Sequence, residues 1–485
     1  MKIGHRDNGS VGIRGAVALQ LGSKYANVFV SLVITMVLAR ILAPEEYGLL
    51  AVVSIFTTFF STLADVGIGP AIIQYDDLTE EDYSALLLFC AAVGLGLALV
   101  FVILSWPISW FYGEERLVGL CLFASLSVFF NAANMVPNGI LLKRKMFLTI
   151  GACLVVATTC GGILAIALAL AGFGAYALVA NVVISSAVIY FWNLIASGAR
   201  FGNRHFMAPL KRVFRYSAFQ AGFSTVNYFS RNLDNILIGK VASVTNLGFY
   251  DKAYKLTTYP ITALSGVIGS VLQPYIAPHK HDNAALFSRW CRVSKAISLV
   301  AAPTAAIMFC GTSEIVTIVY GSQWGESVPL LQALSVSVYF QMVNNPSGAF
   351  FQGSGHTDYM FMHSLLATGI TVVLLVVGLA TDGVLGGARG VSAAYCLHTF
   401  SILYFLGVRS LEAKPIRYLE FFLPEICTAI GSCIICSMLA PIMPTESILG
   451  LVCKSMIIFA IFALSYLATG QIKYLHDSIG IKRRR

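Results

Sequence analysis

Long apolar runs separated by short polar links follow one another from one end of the chain to the other. An α-helix needs about 20 residues to cross a bilayer core of about 30 Å, and each run is long enough to do so. No polar stretch between the runs is long enough for a separate soluble domain. The pattern predicts an all-α integral membrane protein with about fourteen transmembrane helices. The predicted spans lie near 16–42, 46–74, 84–112, 117–142, 147–171, 174–197, 213–240, 247–277, 288–310, 328–352, 358–380, 388–408, 418–440 and 447–469.

The composition agrees with a chain of many spans. Of the 485 residues, 57% are hydrophobic and 11% are charged, and the mean hydropathy is +0.78. Soluble domains carry about 25% charged residues. The charge deficit therefore excludes an ordinary soluble enzyme.

The distribution of Lys and Arg predicts the orientation in the membrane. If consecutive spans alternate in direction, 23 of the 32 Lys and Arg fall on one side, together with both termini. The counted cations include Arg289, Arg292 and Lys295 at the start of the ninth span. The positive-inside rule assigns this side to the cytoplasm. Residues 1–15 then form a cytoplasmic segment, and residues 470–485 form a basic cytoplasmic tail.

Charge and cysteine usage add little chemistry to this picture. The net charge of +9 comes mostly from the flanking Lys and Arg, so a nucleic-acid partner is not expected. The eleven cysteines lie within or beside apolar spans without the spacing of a disulfide framework. Cys433 and Cys436 form a CxxC pair inside a predicted span, where packing explains them better than redox chemistry.

An internal repeat relates the two halves of the chain. A shift of 200 residues aligns spans 1–2 with spans 7–8 and gives ten identities, including Asn27 on Asn227. Further along, NMVPNG at 134–139 resembles NNPSGA at 344–349. Six spans separate the copies, so both have the same orientation. This predicts two six-helix lobes in a parallel pseudo-repeat about an axis along the membrane normal, with a substrate path between them.

The repeat divides the chain into segments. Two helices at the end have no counterpart and are an appendage to the lobes. The predicted segments are an N-lobe at 16–197, a cytoplasmic linker at 198–212, a C-lobe at 213–408 and two extra helices at 409–469.

Polar side chains line one face of four helices, the ones that carry the clearest repeat. In span 7 their spacings are 4, 3, 4 and 3, which places them within about 80° of one helix face. Matching stripes occur on spans 1, 2 and 8. The four stripes comprise Gln220, Ser224, Asn227, Arg231 and Asp234 in span 7, Gln20, Lys24, Asn27, Ser31 and Thr35 in span 1, Ser54, Thr58, Ser61 and Asp65 in span 2, and Asp251, Lys255, Thr258, Thr262 and Ser265 in span 8.

Two interpretations of these stripes stay open. Lipid cannot satisfy polar faces, so they must meet other protein groups or water. Because four helices carry them, we favour an aqueous cavity. The alternative is a buried polar network that holds the helices together, in which Arg231 pairs with Asp234 one helical turn away.

The common catalytic motifs are not found in the sequence. HExxH, GxxxxGK[ST], GxSxG and a metal-spaced Cys/His set do not occur. His356, His363 and His398 are scattered along the chain, and we expect them to be packed residues and not ligands. A membrane-embedded glycan-modifying enzyme stays an alternative because the motifs of such enzymes are sparse. Such an enzyme usually needs a larger extramembrane domain or an acidic metal site.

Two segments carry a resemblance to a known family. They are ARILAPEEYGLLAVVSIFTTFFSTLADVGIGPAIIQ at 39–74 and NLDNILIGKVASVTNLGFYDKAYKL at 232–256. Both resemble the Wzx-type flippases, the polysaccharide transport family of the multidrug/oligosaccharidyl-lipid/polysaccharide exporter superfamily. The similarity covers spans 1–2 and 7–8, and the length and number of spans agree over the whole chain.

The resemblance implies a fold and a function. The fold has two six-helix lobes and two C-terminal helices around a V-shaped central cavity. The function is transport, not catalysis: undecaprenyl-pyrophosphate-linked oligosaccharides move from the inner to the outer leaflet of the bacterial cytoplasmic membrane for exopolysaccharide, capsule or O-antigen export. Membrane lipids, a polysaccharide polymerase and a co-polymerase are the implied partners. A multidrug or metabolite cation-coupled antiporter of the same superfamily is the alternative.

The resemblance and the polar stripes together give candidate site residues. The cations Lys24, Arg231 and Lys255 are expected to attract the pyrophosphate, and Asn27 and Asn227 to bind sugar hydroxyls. Asp65 or Asp234 is expected to bind H⁺ or Na⁺, or to orient Arg231. No cofactor is expected beyond such a coupling ion. These carboxylates offset much of the positive charge, which departs from the cationic cavities described for relatives.

Overall fold

The computed structural model describes most of the chain. The described residues are 13–64, 68–75, 78–201, 228, 232–276, 282–414, 416–444 and 447–471. Within these ranges every regular element is helical and no strand occurs. The all-α membrane fold predicted from the apolar runs is confirmed.

The helices belong to two compact units, residues 1–240 and 241–485. In the first unit, α4 begins with a capping box in which Thr79 and Asp82 satisfy each other's backbone N–H groups. The helices of this unit are α1 (Ile13–Ile41), α2 (Pro44–Ala64), α3 (Ile68–Gln74), α4 (Glu80–Tyr112), α5 (Arg116–Ala133), α6 (Met135–Lys143), α7 (Phe147–Leu170) and α8 (Ala175–Ser197), followed by α9, the helical residues 232–241.

The second unit has a similar helix order. Its core helix α11 starts after Asp282, whose side chain caps the N–H of Ala285. The helices are α10 (Val244–Ile276), α11 (Asn283–Cys310), α12 (Thr312–Val319), α13 (Ser327–Asn344), α14 (Ser347–Gly353), α15 (Thr357–Ile402), α16 (Ile416–Leu439) and α17 (Ile448–Ala468). A π-helical segment, Leu403–Ser410, continues α15, and short 3₁₀ turns follow α12 and α16.

Ten segments among the described residues are long and apolar enough to cross a membrane. One of them, Thr357–Ser410, has 54 residues, which at 1.5 Å per residue would measure about 80 Å as a straight helix. It is folded at Asp382 and Gly383, which leave the helical conformation. This segment therefore contains two crossings, as the sequence predicts. The total of fourteen is not confirmed by this count.

Helix boundaries in the two units follow the predicted repeat. Helix α2 begins at Pro44 and α10 at Val244, an offset of 200 residues. The break between α5 and α6 falls at Asn134, and the break between α13 and α14 falls at Asn345 and Pro346. Both breaks occur in the segments NMVPNG and NNPSGA that the sequence pairs. The offset between these two breaks is longer than 200 residues. The second unit has helix α12 and a turn between α11 and α13, whereas the first unit has a three-residue link between α4 and α5.

The compact units meet at Lys240 and Val241, whereas the sequence places the start of the second lobe at residue 213. Two contacts explain why residues up to Lys240 group with the first unit. Tyr228 donates a hydrogen bond to the Ile55 carbonyl, and Lys240 Nζ donates to the Phe111 carbonyl. Residues 202–227 lie outside the described part of the chain, and the predicted lobe boundaries stay a prediction.

Glu46, in the APEEYG segment, caps the start of α8. Its carboxylate accepts a hydrogen bond from the N–H of Ala175, the first residue of α8, and another from Arg116. A carboxylate at a helix N-terminus stabilises the helix by about 1 kcal/mol. We expect Glu46→Ala to lower the melting temperature in detergent. Glu46→Gln, which keeps an acceptor, should lower it less.

The neighbouring Glu45 provides the control for this measurement. Its side chain is 44% exposed, against 20% for Glu46, and its carboxylate pairs with Arg116. An exposed ion pair contributes little to stability. Equal melting temperatures for Glu46→Ala and Glu45→Ala would show that the α8 cap is unimportant.

Candidate functional site

The polar stripe of α1 is partly engaged by a neighbouring helix. Lys24 is exposed, and Asn27 is half-buried. Asn27 Oδ1 accepts a hydrogen bond of 2.7 Å from Thr158 Oγ1 on α7. The ammonium of Lys24 is therefore available at the surface of its unit, while the carbonyl oxygen of Asn27 is already bonded.

The stripe of α2 shows the same division. Ser61 accepts a hydrogen bond of 3.2 Å from Asn131 Nδ2 on α5, whereas Thr58 is exposed. Each of these two stripes thus has one member that binds a neighbouring helix and another that is exposed, although exposed Thr58 also has a side-chain hydrogen bond with Tyr228. Contacts of the polar-network kind occur within this unit, and the aqueous cavity stays a prediction.

Asp234 is the described member of the α9 stripe. It is 7% exposed, and its Oδ1 accepts a hydrogen bond of 2.9 Å from the N–H of Asn235. Asp65, Asn227 and Arg231 lie outside the described residues. The pairing of Arg231 with Asp234 and the roles given to these residues therefore stay predictions.

The stripe of α10 contains an ion pair. Lys255 Nζ lies 2.8 Å from Asp251 Oδ2, and the side chains are 44% and 12% exposed. The carboxylate is thus buried against its helix while the ammonium reaches outward. Lys252, on another face of α10, is buried with its Nζ 5.5 Å from the centre of the Tyr320 ring. Of the two lysines, Lys255 is the one available to a ligand.

Two further charged pairs lie in the second unit, and the sequence analysis missed both. Lys295 on α11 contacts Glu425 on α16, and both side chains are almost completely buried, at 2% and 0% exposed. Lys454 on α17 lies 2.7 Å from Glu314 on α12. Lys295 was counted as a flanking cation. That interpretation of Lys295 is wrong, because its partner and its burial place it in the interior of the unit.

The two intramembrane histidines are also together, and the sequence treated them as scattered. His363 and His398 lie on the two halves of α15, with ring centres 6.3 Å apart. The signal that could have shown this is the turn at Asp382 and Gly383, which folds the two halves against each other. In the described part of the chain, no group of three or more His, Cys, Asp or Glu is placed to hold a metal ion.

Comparison with known proteins adds information on the family. A family described as "Polysaccharide biosynthesis protein" matches residues 37–329. The teichuronic acid biosynthesis protein TuaB of Bacillus subtilis (strain 168) is 26% identical over 363 residues, which is 74% of each chain. The lipopolysaccharide biosynthesis protein WzxC of Escherichia coli (strain K12) is 23% identical over 408 residues, which is 80% of each chain.

A solved structure has a similar fold. The lipid II flippase MurJ in an inward closed conformation aligns with a TM-score of 0.73 and 12% sequence identity. The alignment covers 95% of this chain and 100% of that one. At this identity the likeness concerns the fold.

Proposed function

Because the chain belongs to the polysaccharide biosynthesis protein family, we propose that it flips undecaprenyl-pyrophosphate-linked oligosaccharides across the bacterial cytoplasmic membrane. The resemblance drawn from residues 39–74 and 232–256 is confirmed by this family and by its relatives. The protein is a multi-pass membrane transporter, not an enzyme. The observation that carries the proposal is the combination of polysaccharide-biosynthesis relatives with the fold of a lipid-linked precursor flippase.

The mechanism we propose is alternating access, with cations that recognise the pyrophosphate. Lys24 on α1 and Lys255 on α10 present ammonium groups at exposed or half-buried positions. Lys binds phosphate as a point charge, and Arg231 would add a bidentate contact. Asp251 pairs with Lys255, so a pyrophosphate oxygen would compete with this carboxylate for the ammonium.

The sugars and the prenyl chain of the substrate need different surroundings. Amide and hydroxyl groups such as Asn27, Asn227 and Thr58 would hydrogen-bond the sugar hydroxyls, while the prenyl chain stays in lipid. Both termini would lie in the cytoplasm. A polysaccharide polymerase and a co-polymerase would receive the flipped units, and a gradient of H⁺ or Na⁺ would drive the cycle.

The test is a flipping assay in proteoliposomes with an undecaprenyl-pyrophosphate-linked oligosaccharide. We expect Lys24→Ala and Arg231→Ala each to reduce the rate about tenfold or more, because a hydrogen bond to a charged group contributes about 1.5–3 kcal/mol. Arg389→Ala is the control, since Arg389 is 63% exposed and pairs with Asp382 at the turn of α15. Normal transport by both variants at normal expression would contradict the cationic site.

The same preparation separates the alternative function. A multidrug or metabolite antiporter would transport a soluble cation and would give drug resistance on overexpression, with no flipping of the lipid-linked substrate. This outcome would contradict the proposed substrate while leaving the fold and the family unaffected.

A further inference from the structure

His363 and His398 form a cluster that the proposed substrate site does not use. The turn at Asp382 and Gly383 brings the two halves of α15 together, and the imidazole rings lie 6.3 Å apart at 90° to each other. On its other side, the His363 ring stacks on Phe351 of α14 at 6.1 Å and 16°. The pair is therefore held by packing from two helices.

Hydrogen bonds orient both rings. His398 Nε2 lies 3.0 Å from the Ala367 carbonyl and 3.2 Å from Thr371 Oγ1, and it donates to the carbonyl when it carries a proton. His363 Nδ1 lies 2.9 Å from Ser401 Oγ, which can donate or accept. Each ring nitrogen thus has a hydroxyl partner that can donate to it or accept from it.

Two tyrosines lie between the pair and α10. The Tyr395 ring lies 5.2 Å from the His398 ring, and the Tyr395 hydroxyl lies 3.5 Å from the Tyr254 hydroxyl. Tyr254 directly precedes Lys255, the cation proposed to bind pyrophosphate. The histidine pair and Lys255 thus lie on neighbouring helices of one unit, with two tyrosines between them.

We propose that the His363–His398 pair is the proton-binding site that couples transport to the proton gradient. Histidine is the side chain that changes charge close to neutral pH, and ionisable residues inside membranes mark proton relays. Two positive charges at this separation repel each other, so the pair holds one proton at a time. This inference depends on the proposed transport function, and it assigns coupling to residues other than Asp65 and Asp234.

The charged groups around the pair are few among the described contacts. From α10 the facing titratable groups are Tyr254 and, beyond it, the Asp251–Lys255 ion pair. Helix α13 contributes an amide, Asn344, which bonds Thr399, and α14 contributes the Phe351 ring. The π-helical segment contributes Arg409, whose guanidinium carbon lies 5.7 Å from the centre of the Tyr359 ring. Tyr359 is one helical turn before His363 on α15. Among the described residues, Tyr395 is the titratable group in ring contact with the pair.

The first experiment measures coupling in proteoliposomes that contain the lipid-linked oligosaccharide and a pH-sensitive dye. For one proton per cycle, a pH difference of one unit should shift the transport equilibrium about tenfold. We expect His398→Gln and His363→Gln to keep flipping without a gradient but to lose both the tenfold shift and the dye signal. Glutamine keeps an N–H donor for Ala367 or Ser401 but does not titrate, so a purely structural role would leave coupling unchanged.

Two matched variants make the result specific. His356→Gln removes a histidine 42% exposed at the start of α15, and it should behave as the wild type. Asp234→Asn removes one of the two carboxylates, Asp65 and Asp234, that the sequence offers for the coupling ion. Loss of the gradient response in Asp234→Asn with normal coupling in His398→Gln would overturn the proposal, as would normal coupling in both histidine variants.

The second experiment does not require transport. Acid titration of the purified chain should show one proton fewer taken up by the His363→Gln, His398→Gln double variant than by the wild type. Equal uptake would overturn the proton site. A difference of one proton in a chain that does not flip the oligosaccharide would support the site and contradict the proposed substrate instead.

Discussion

Replacement of Glu425 by leucine is expected to destabilise the protein by about 3–5 kcal/mol. Glu425 and Lys295 are almost completely buried and contact each other across α11 and α16. Removal of the carboxylate takes this counter-charge away from an ammonium whose side chain is almost completely buried. A charged side chain without a counter-charge inside a membrane protein costs free energy.

Neutral polar groups, which include the hydroxyls of Tyr339 and Tyr466, lie beside the pair. Ser298 Oγ and the Tyr339 hydroxyl are 2.9 Å apart and satisfy each other, and the Tyr466 hydroxyl donates to the Leu299 carbonyl at 2.9 Å. These polar groups are already engaged beside the pair. These neutral groups can accept a hydrogen bond from the ammonium of Lys295, but they do not supply the negative charge of the carboxylate.

A double variant separates the charge effect from the packing effect. Replacing a buried ion pair with apolar residues of similar volume is often neutral or stabilising. We therefore expect Lys295→Met with Glu425→Leu to melt near the wild-type temperature, and each single variant to melt far below it. The measurement is thermal unfolding in detergent, followed by size-exclusion chromatography.

The exposed pair Arg389–Asp382 serves as the control for this cycle. With side chains 63% and 52% exposed, it should contribute at most about 1 kcal/mol. Arg389→Ala should therefore change the melting temperature little. A wild-type melting temperature for Glu425→Leu would show that water reaches Lys295 and that the ion pair does not contribute to the stability of the protein.

The sequence predicted the helices well because an apolar run of sufficient length has one solution in a bilayer. Every backbone group must be satisfied within the segment, which only a helix achieves here. The repeat was visible for a related reason, since Pro44 and the NMVPNG and NNPSGA segments mark helix starts and breaks through their local backbone preferences. These features depend on neighbours in sequence, and they could be predicted.

Partners distant in sequence could not be predicted in the same way. Lys295 and Glu425 are separated by 130 residues, and each looks like a single charge beside or within an apolar run. His363 and His398 are closer, but their contact depends on how tightly the two halves of α15 pack. The stripes on α1 and α2 were identified correctly as polar, yet Thr158 and Asn131, which engage them, carry no signal of doing so.

The substitution Gly378→Ala is expected to cost about 3 kcal/mol, although alanine is the better helix former. A Cβ on Gly378 would lie 2.2 Å from the Gly386 carbonyl oxygen, and a Cβ on Gly386 would lie 2.1 Å from that of Gly378. Backbone atoms on both sides form the contact, so no side chain can turn away. Small residues permit such close helix approach in membranes.

Gly369 in the first half of α15 is the matched control, because a Cβ there meets nothing within 4 Å. Gly369→Ala should raise stability by up to about 1 kcal/mol, since the same change reduces the entropy of the unfolded chain. Gly378→Ala should also separate the halves of α15 and weaken the His363–His398 contact, so loss of proton coupling should accompany the lower melting temperature. If Gly378→Ala were as stable as Gly369→Ala, the two halves would not be in the close backbone contact on which the histidine pair depends.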